Sequence, residues 1–544
     1  MVPGTSALPA QYVTGLGAMP KSQTLDFSED WQSLERGQTR EQFERQVLPA
    51  YLSRQRWFAS KGSEVIRVEL ANRFVLPGRS GNWLLATFRA HLAGGRSEDY
   101  FVPLAVQWCS PSNIEPPDSN DNLAFIQKGN QTGVLKEALG DPRFIAAVIR
   151  ALGEDRTLTT PDGVLRFSRT SAYFRLQEEE KQSIKKLGAE QSNSSILIAN
   201  KMILKAYRKL ESGIQPELEM GRYLTEMAGY RNTPPFLGSV EQFDQDGQPT
   251  ALAVIQGFVP NQGDGWSFTM DHMKRFFNGI LEGNQGEPAN HAYSALSERL
   301  GVRIAELHRA LAIESGDPAF QPELIPSADV AGWRQQIRAE AETTFGLLSN
   351  SEGLLPPEQQ KRVRALLDQQ HRVLDLISAF KLRPGSALRK TRFHGDLHLG
   401  QVLVAGDDFY IIDFEGEPAR PFAQRRAKHS PLKDVAGMLR SLNYAAWSAL
   451  FEVGAGERDK MAALEKPAIE WERASSRSLM QGYSKAIGDC PASPDDPETF
   501  RQLLNLFILE KALYEIRYEL ANRPSWLRIP VEGIMSLLEH PPDR

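Results

Sequence analysis

Residues 391–418 read TRFHGDLHLGQVLVAGDDFYIIDFEGEP. Asp396 stands in an HGD turn, and Gln401 follows five positions later. The turn Ala405-Gly406-Asp407-Asp408 leads into the apolar run Phe409-Tyr410-Ile411-Ile412, which ends at Asp413. The spacing predicts a loop acid, an amide, a hairpin strand and a second acid. That order suits phosphoryl transfer from a nucleotide, in which the first Asp accepts the proton of an attacking hydroxyl. The amide and the second Asp then hold magnesium on the phosphates. Mg2+ takes hard oxygen donors and needs few of them from the protein, so one carboxylate and one amide oxygen suffice. Asp396 is the candidate base, with Gln401 and Asp413 as candidate metal ligands. HGD by itself is weak and could be a loop of turn-forming acids; HGDxHxGQ followed by IIDFEGEP is far more specific.

The 544 residues imply roughly two to four structural units. The chain is 41% hydrophobic and 24% charged, an ordinary globular balance. Its net charge of −5, from 63 basic and 68 acidic residues, gives no electrostatic case for a nucleic-acid partner. Two cysteines, Cys109 and Cys490, form no metal or disulfide pattern and fit a reducing compartment. The amino terminus lacks the basic start and apolar core of a secretion signal. Nowhere do about eighteen apolar residues run together, so no membrane span is expected. A cytoplasmic location is the expectation.

Residues 1–25 are Gly, Pro and small residues without periodicity, expected to form a flexible tail. Helical spacing begins near Thr39, with Phe43, Val47 and Leu48 on one side. Three strand-like runs follow, Val65–Leu70, Trp83–His91 and Tyr100–Trp108. Residues 26–134 thus read as a small α+β domain with no evident chemistry. Residues 135–152, LKEALGDPRFIAAVIRAL, read as a bridging helix within an intermediate and small-lobe stretch, 135–258. Residues 259–544 read as a mainly helical large lobe.

Within the small lobe, SNSSILIANKMILKAYRKL predicts strands Ile196–Ile198 and Met202–Tyr207 around an Ala-Asn turn. The polar loop Gln191–Ser195 occupies the place of a phosphate-covering lid, with Ser194 and Ser195 as candidate donors. Lys205 is the candidate phosphate-binding lysine. Glu219, on the helix that starts at Pro216, is its expected partner, and Glu217 is the rival. Strand Thr250–Val259 leads into a loop, which places a nucleotide-base hinge at Gln256, Phe258 and Val259. His308 lies on the apolar stripe of helix Ser297–Ala312 and is expected to be a satisfied core histidine. Residues 357–380 read as one helix. Ser430 and Pro431 open another, in which Asp434 is expected to order the loop before it.

The last long helix carries Glu510, Tyr514, Arg517 and Tyr518 along a mostly apolar sequence. Carboxylate, guanidinium and aromatic groups so mixed suit a sugar, which offers hydroxyls and C–H faces; a salt-bridged surface face is the plain alternative. Candidate acceptor contacts are therefore His398, Glu415, Glu417, Tyr514, Arg517, Tyr518 and Trp526. His394 and His398 are expected to fix the catalytic loop.

QVLPAYLSRQRWFASKG, ILKAYRKL with PELEMGRYL, HGDLHLGQVL, IIDFEGEP, SPLKDVAGMLRSLNYAA and EKALYEIRYELANRPSW together resemble the bacterial maltokinases, especially those fused to or partnered with trehalose synthase. The resemblance runs over residues 40 to 540. It implies an α+β, bilobal protein-kinase-like fold of the aminoglycoside-phosphotransferase type, with an amino-terminal cap domain. It also implies ATP and Mg2+ as cofactors and maltose, converted to maltose 1-phosphate, as substrate on a route from trehalose to glycogen. Trehalose synthase becomes the implied protein partner, and monomer and homodimer both stay open. Carried over, Asp396 resembles the catalytic base, Gln401 and Asp413 the metal ligands, and Lys205 the phosphate lysine. Gln401 stands where relatives outside the family have Asn. Two alternatives remain: a kinase for another small sugar or amino sugar, and a non-catalytic scaffold for trehalose synthase.

Overall fold

Apolar-rich runs such as Trp83–Leu92 build pleated strands, and from Trp83 to Phe88 this one is buried on both faces. The computed structural model describes residues 24–79, 81–109, 120–188, 193–283, 287–382, 387–418 and 420–539. They fall into two compact units. The first takes positions up to Arg169 with Tyr173–Gly213 and Gly238–Ile255; the second takes Thr170–Ala172, Ile214–Leu237 and the chain from Gln256 onward.

The first unit holds two seven-stranded sheets. One runs in the order Thr24–Asp26, Asn122–Lys128, Gln131–Glu137, Ser97–Trp108, Gly81–Leu92 and Val65–Gly78, with the short strand Lys209–Leu210 also paired to Ser97–Trp108. Helical turns over Gly37–Arg54 cover its buried face, where Phe43, Tyr51, Phe88 and Tyr100 pack together. The expected tail lies outside the described residues, except that Thr24 and Leu25 belong to an edge strand and Leu25 is fully buried. The second sheet runs Thr157–Thr160, Gly163–Arg169, Phe236–Phe243, Pro249–Gly257, Met202–Tyr207, Asn193–Ile198 and Ile184–Lys186. Ala199 and Asn200 both take positive φ, 54° and 52°, the geometry of a tight two-residue hairpin.

Two expectations are corrected here. Residues 135–152 are not one helix: the strand Gln131–Glu137 runs on through Leu135, which pairs with Val106, and the helix is Pro142–Gly153. Asp141 caps it by accepting from Arg143 N, so Gly140-Asp141-Pro142 is the true start signal. Ser194 and Ser195 lie inside the buried strand Asn193–Ile198 rather than in a lid loop; Gln191 and Ser192 fall outside the described residues.

The second unit is mainly helical, with a small hairpin of Val402–Ala405 against Asp408–Ile411. Two of its long helices, Glu287–Leu311 and Arg458–Ile487, cross where each has a glycine. A methyl group on Gly301 would lie 2.0 Å from the Leu479 carbonyl oxygen, and one on Gly482 would lie 2.0 Å from that of Glu298. The stripe Leu300, Ile304, Leu307, His308 and Leu311 is buried as its spacing predicts. The expected helix 357–380 breaks at Gln369 into Pro357–Asp368 and Gln370–Ala379. Met227 is 59% exposed, because the helix from Pro216 widens into a five-residue turn over Tyr223–Met227 and loses its phase. Among the described residues, no helix is long and apolar enough to cross a membrane.

Candidate active site

The HGD turn is mounted on one face of helix Leu432–Val453. Asp434, Gly437 and Ser441, spaced three and then four residues apart, share that face. Buried Asp434 accepts from His394 N at 2.7 Å and Gly395 N at 2.9 Å. Gly437 lets the Leu397 carbonyl in; a methyl there would sit 2.6 Å from its oxygen. Ser441 Oγ accepts from Leu399 N at 3.0 Å. His394 Nε2 donates to the Ile412 carbonyl at 2.8 Å, so its Nδ1 is the acceptor that faces Asp396 N at 3.3 Å. Gly395, between them, takes φ +86°, a conformation that favours glycine. His308 bonds Tyr483 at 3.0 Å and Asp434 at 3.3 Å, a satisfied core histidine. The turn is therefore held by short bonds to buried groups, and Asp434 orders it as its helix-start position suggested.

The hairpin brings the second acid back to the amide. Ile412 N donates to Gln401 O at 3.0 Å, and Gln401 Nε2 donates to Asp413 Oδ2 at 2.9 Å. Asp413 itself takes φ +65°, unusual for a residue with a side chain. Carboxylate oxygens of Asp413, Glu415 and Glu217 lie within 4.8 Å of one another. Three carboxylates with an adjoining amide are a hard oxygen donor set of the kind Mg2+ requires, so the residues present fit a divalent cation. Glu217 is buried in the first helical turn after Pro216, and Gln256 Nε2 approaches its Oε1 at 3.3 Å. Glu415, a candidate acceptor contact, belongs to this acidic group.

The partner expected for Glu219 was Lys205. Its carboxylate is instead gripped by Arg426, at 2.6 and 2.9 Å, and by buried Arg392 at 2.6 Å. These cations hold its pKa below the usual carboxylate value despite burial. Arg392 also stacks 5.1 Å from the Phe320 ring, and Phe320 lies flat on Tyr223 at 3.8 Å. Glu219 thus ties its helix to the strand entering the HGD turn. At the expected hinge, Gly257 N donates to Pro235 O at 2.8 Å and the Val259 carbonyl accepts from Asn261 at 2.8 Å, while Phe258 is half-buried.

In the first unit, half-buried Lys205 holds its ammonium 5.8 Å above the Tyr207 ring, and Ser195 is its cross-strand neighbour. The Ser194 hydroxyl accepts from Arg208 Nε at 2.8 Å, so it is committed to the interior.

Beside Asp396 opens a cleft walled by helix Pro497–Asn522 and the segment after Gly416. Lys511 Nζ stands 3.8 Å from Asp396 Oδ1 and 5.2 Å over the half-exposed Tyr514 ring. Burial raises the Asp396 pKa; Lys511 and His394 oppose the rise, and Glu417 and Asp413 add to it. Of the expected acceptor residues, Glu417, Tyr514 and Arg517 line this cleft. His398, Glu415, Tyr518 and Trp526 are not among its lining residues. Tyr518 and Trp526 hold the Arg523 guanidinium, at 5.6 and 4.4 Å from their rings. His398 accepts from Gly400 N at 3.0 Å, and burial lowers its pKa to about 3, so it is neutral near pH 7. Lys511 escaped sequence reading, although it continues the Phe507 and Tyr514 face at helical spacing. Lys433 and Arg420 reach the cleft from other segments and left no local signal.

Comparison with known proteins agrees with this architecture. Residues 51–141 match the maltokinase N-terminal cap domain, and residues 183–416 match the phosphotransferase enzyme family. Glucosamine kinases of Streptacidiphilus jiangxiensis and Mycolicibacterium smegmatis (strain ATCC 700084 / mc(2)155) are each 26% identical to this chain. Those similarities cover 64% of this chain and 72% and 78% of the relatives. A solved glucosamine kinase in complex with glucosamine, ADP and inorganic phosphate gives a TM-score of 0.60 at 19% identity, over 91% of this chain and 100% of that one. Another crystal form of glucosamine kinase gives 0.62 at 20% identity, over 92% and 99%. The chain therefore combines a maltokinase-type amino-terminal cap domain with a phosphotransferase-family domain, in a kinase fold of the aminoglycoside-phosphotransferase type.

Proposed function

We propose that the protein transfers the γ-phosphoryl group of ATP to the anomeric hydroxyl of maltose, giving maltose 1-phosphate and ADP. The observation that carries the choice of acceptor is the charge balance of the cleft. Its carboxylates are Glu340, Asp396, Glu417, Asp434 and Glu510. Its cations are Arg420, Arg425, Lys433, Lys511 and Arg517, equal in number. Glu417 pairs with Arg420 at 2.5 Å, Glu510 with Lys433 at 2.8 Å, and Glu340 with Arg517 at 3.2 Å. Asp434 spends its oxygens on backbone amides. Glucosamine, named for the relatives, carries an ammonium that needs an uncompensated carboxylate. A neutral polyhydroxyl compound needs donors and acceptors of both kinds and a ring face, which these pairs and Tyr514 offer.

In the reaction, Asp396 orients the anomeric hydroxyl and takes its proton as the oxygen bonds to the γ-phosphorus. The bond from that phosphorus to the β–γ bridging oxygen breaks, and ADP leaves in line. Burial makes Asp396 a stronger base than a free carboxylate, while Lys511 limits the rise. His394 and Asp434 keep the turn from relaxing away from the acceptor. Lys205 binds phosphate oxygens, and Gln401 and Asp413, with Glu217 and Glu415 close by, would hold Mg2+. Bound there, the ion would supply charge neutralisation of the phosphates, and positioning by these residues supplies most of the remaining rate.

The test measures ATP consumption with maltose, glucose, glucosamine and an aminoglycoside, with the product identified by NMR. Maltose phosphorylated at C1 is the expected result. Turnover of glucosamine without turnover of maltose overturns the acceptor and favours the second reading, an amino-sugar kinase, which the relatives' names support. Absence of transfer to any acceptor favours a scaffold role beside trehalose synthase.

A further inference from the structure

We infer that the cap domain positions the phosphate-binding lysine, acting through Arg208. The inference rests on Lys205 being that lysine. Strand Met202–Tyr207, which carries Lys205, runs directly into Lys209–Leu210, and the latter pairs with the cap strand Ser97–Trp108. Lys209 stands opposite Tyr100, Leu210 opposite Asp99, and Phe101 N donates to Arg208 O at 2.9 Å. One stretch of chain is thus a member of both sheets, with Arg208 at the joint. Alternation sends side chains three residues apart to opposite faces, so Arg208 points away from the face that presents Lys205.

Arg208 is fully buried, and so is its partner Glu137. Its Nη2 donates to Glu137 Oε1, its Nε to Ser194 Oγ at 2.8 Å, and its Nη1 reaches the Phe101 carbonyl at 3.4 Å. Trp57 stacks on the guanidinium at 4.7 Å, and Tyr51 donates to the other Glu137 oxygen at 3.4 Å. Tyr51, Trp57, Phe101 and Glu137 lie in the part that matches the cap, whereas Ser194, Lys205 and Arg208 lie in the part that matches the phosphotransferase. A buried ion pair adds little net stability, because desolvating two charges offsets their attraction. What a planar guanidinium fixed on three sides does supply is one allowed geometry. Here that geometry sets the twist and height of the Lys205 strand from the cap side, so Arg208 is a positioning residue and Lys205 the group it positions.

The experiment compares steady-state kinetics and ligand-induced melting shifts for the full chain and for Glu137→Gln, Arg208→Lys and Lys205→Ala. Glu137→Gln keeps the shape and removes the charge; it is expected to raise KM for ATP about ten-fold and leave the acceptor KM unchanged. The rise in melting temperature on adding ATP shrinks in the same variant, while that on adding the sugar does not. Arg208→Lys keeps the charge but loses the fork and falls between wild type and Glu137→Gln. If Glu137→Gln does not fold, Ser194→Ala and Tyr51→Phe, each removing one hydrogen bond, are expected to raise KM for ATP about two-fold. The inference is overturned if Lys205→Ala is crippled while the folded cap variants bind ATP like wild type, or if they lose ATP and sugar affinity equally. Wild-type kinetics in Lys205→Ala would instead remove the lysine reading on which it stands.

Discussion

The HGD turn and the wall of helix Pro497–Asn522 face one cleft but are held by different forces. The turn hangs on buried Asp434 and Ser441 through backbone N–H bonds of 2.7 to 3.0 Å. The wall and the segment after Gly416 beside it carry long side chains paired as ions nearer water, such as Arg517 with Glu340 and Arg420 with Glu417, all between a quarter and two-fifths exposed. Buried bonds of the first kind have no substitute when a partner is lost. Exposed pairs of the second kind contribute little to stability and re-form or dissolve cheaply. On the proposed function, the difference separates the chemistry, which has no slack, from acceptor choice, which does.

The sharpest way to break that contrast is at the base. Asp396→Ala should lower kcat by about 10³-fold or more while leaving folding and ATP binding intact; substantial remaining turnover removes Asp396 from the base role. Next comes the support. Asp434→Ala strands two amide donors and His308, and should cost about 3 kcal/mol of stability with a large loss of kcat, read by denaturant unfolding and turnover. A mild effect there would make the two walls alike. On the ion-paired side, Glu417→Gln and Arg517→Met should each raise the acceptor KM about 3- to 10-fold and move stability by less than about 1 kcal/mol. An effect on kcat as large as that of Asp434→Ala would put the wall on the chemical side.

The smallest effect is electrostatic and is visible only against pH. As the proposed base, Asp396 must be ionised to accept a proton, and burial places its pKa above the ordinary aspartate value. Activity is therefore lost, as pH falls, earlier than a free carboxylate would titrate. Lys511 opposes that rise, so Lys511→Met should move the acidic limb of the kcat/KM profile to still higher pH and leave the neutral plateau little changed. A limb displaced to lower pH would contradict the cation's part.

The same contrast explains what was legible in the sequence. The turn, the amide and the second acid occupy 28 contiguous residues, 391–418, so their spacing carried their geometry. Helix periodicity gave the buried stripe around His308 and the placing of Asp434. Glu217 and Glu219 stand two residues apart at one helix start, and local pattern cannot choose between them. The second unit's tertiary partners chose: Arg392 and Arg426 take Glu219, and Glu217 joins Asp413 and Glu415. The cleft's ion pairs likewise join segments far apart in the chain, Lys433 with Glu510 and Arg517 with Glu340, which no spacing could announce. Ser194 and Ser195 misled because a polar run looks like a loop, whereas one of those hydroxyls is the buried acceptor for Arg208.

The crossing at Gly301 and Gly482 carries a consequence for engineering heat resistance. Replacing glycine with alanine inside helices usually gains about 0.4–1 kcal/mol by restricting the unfolded chain. Gly332 and Gly346, in helix Ser327–Ser351, have open space where a methyl would go and should follow that rule. At 301 and 482 the new carbon would land on a neighbouring main-chain oxygen, and backbone cannot swing aside as a side chain can. A blanket glycine-to-alanine library would therefore split into winners on helix Ser327–Ser351 and losses at this junction and at Gly437.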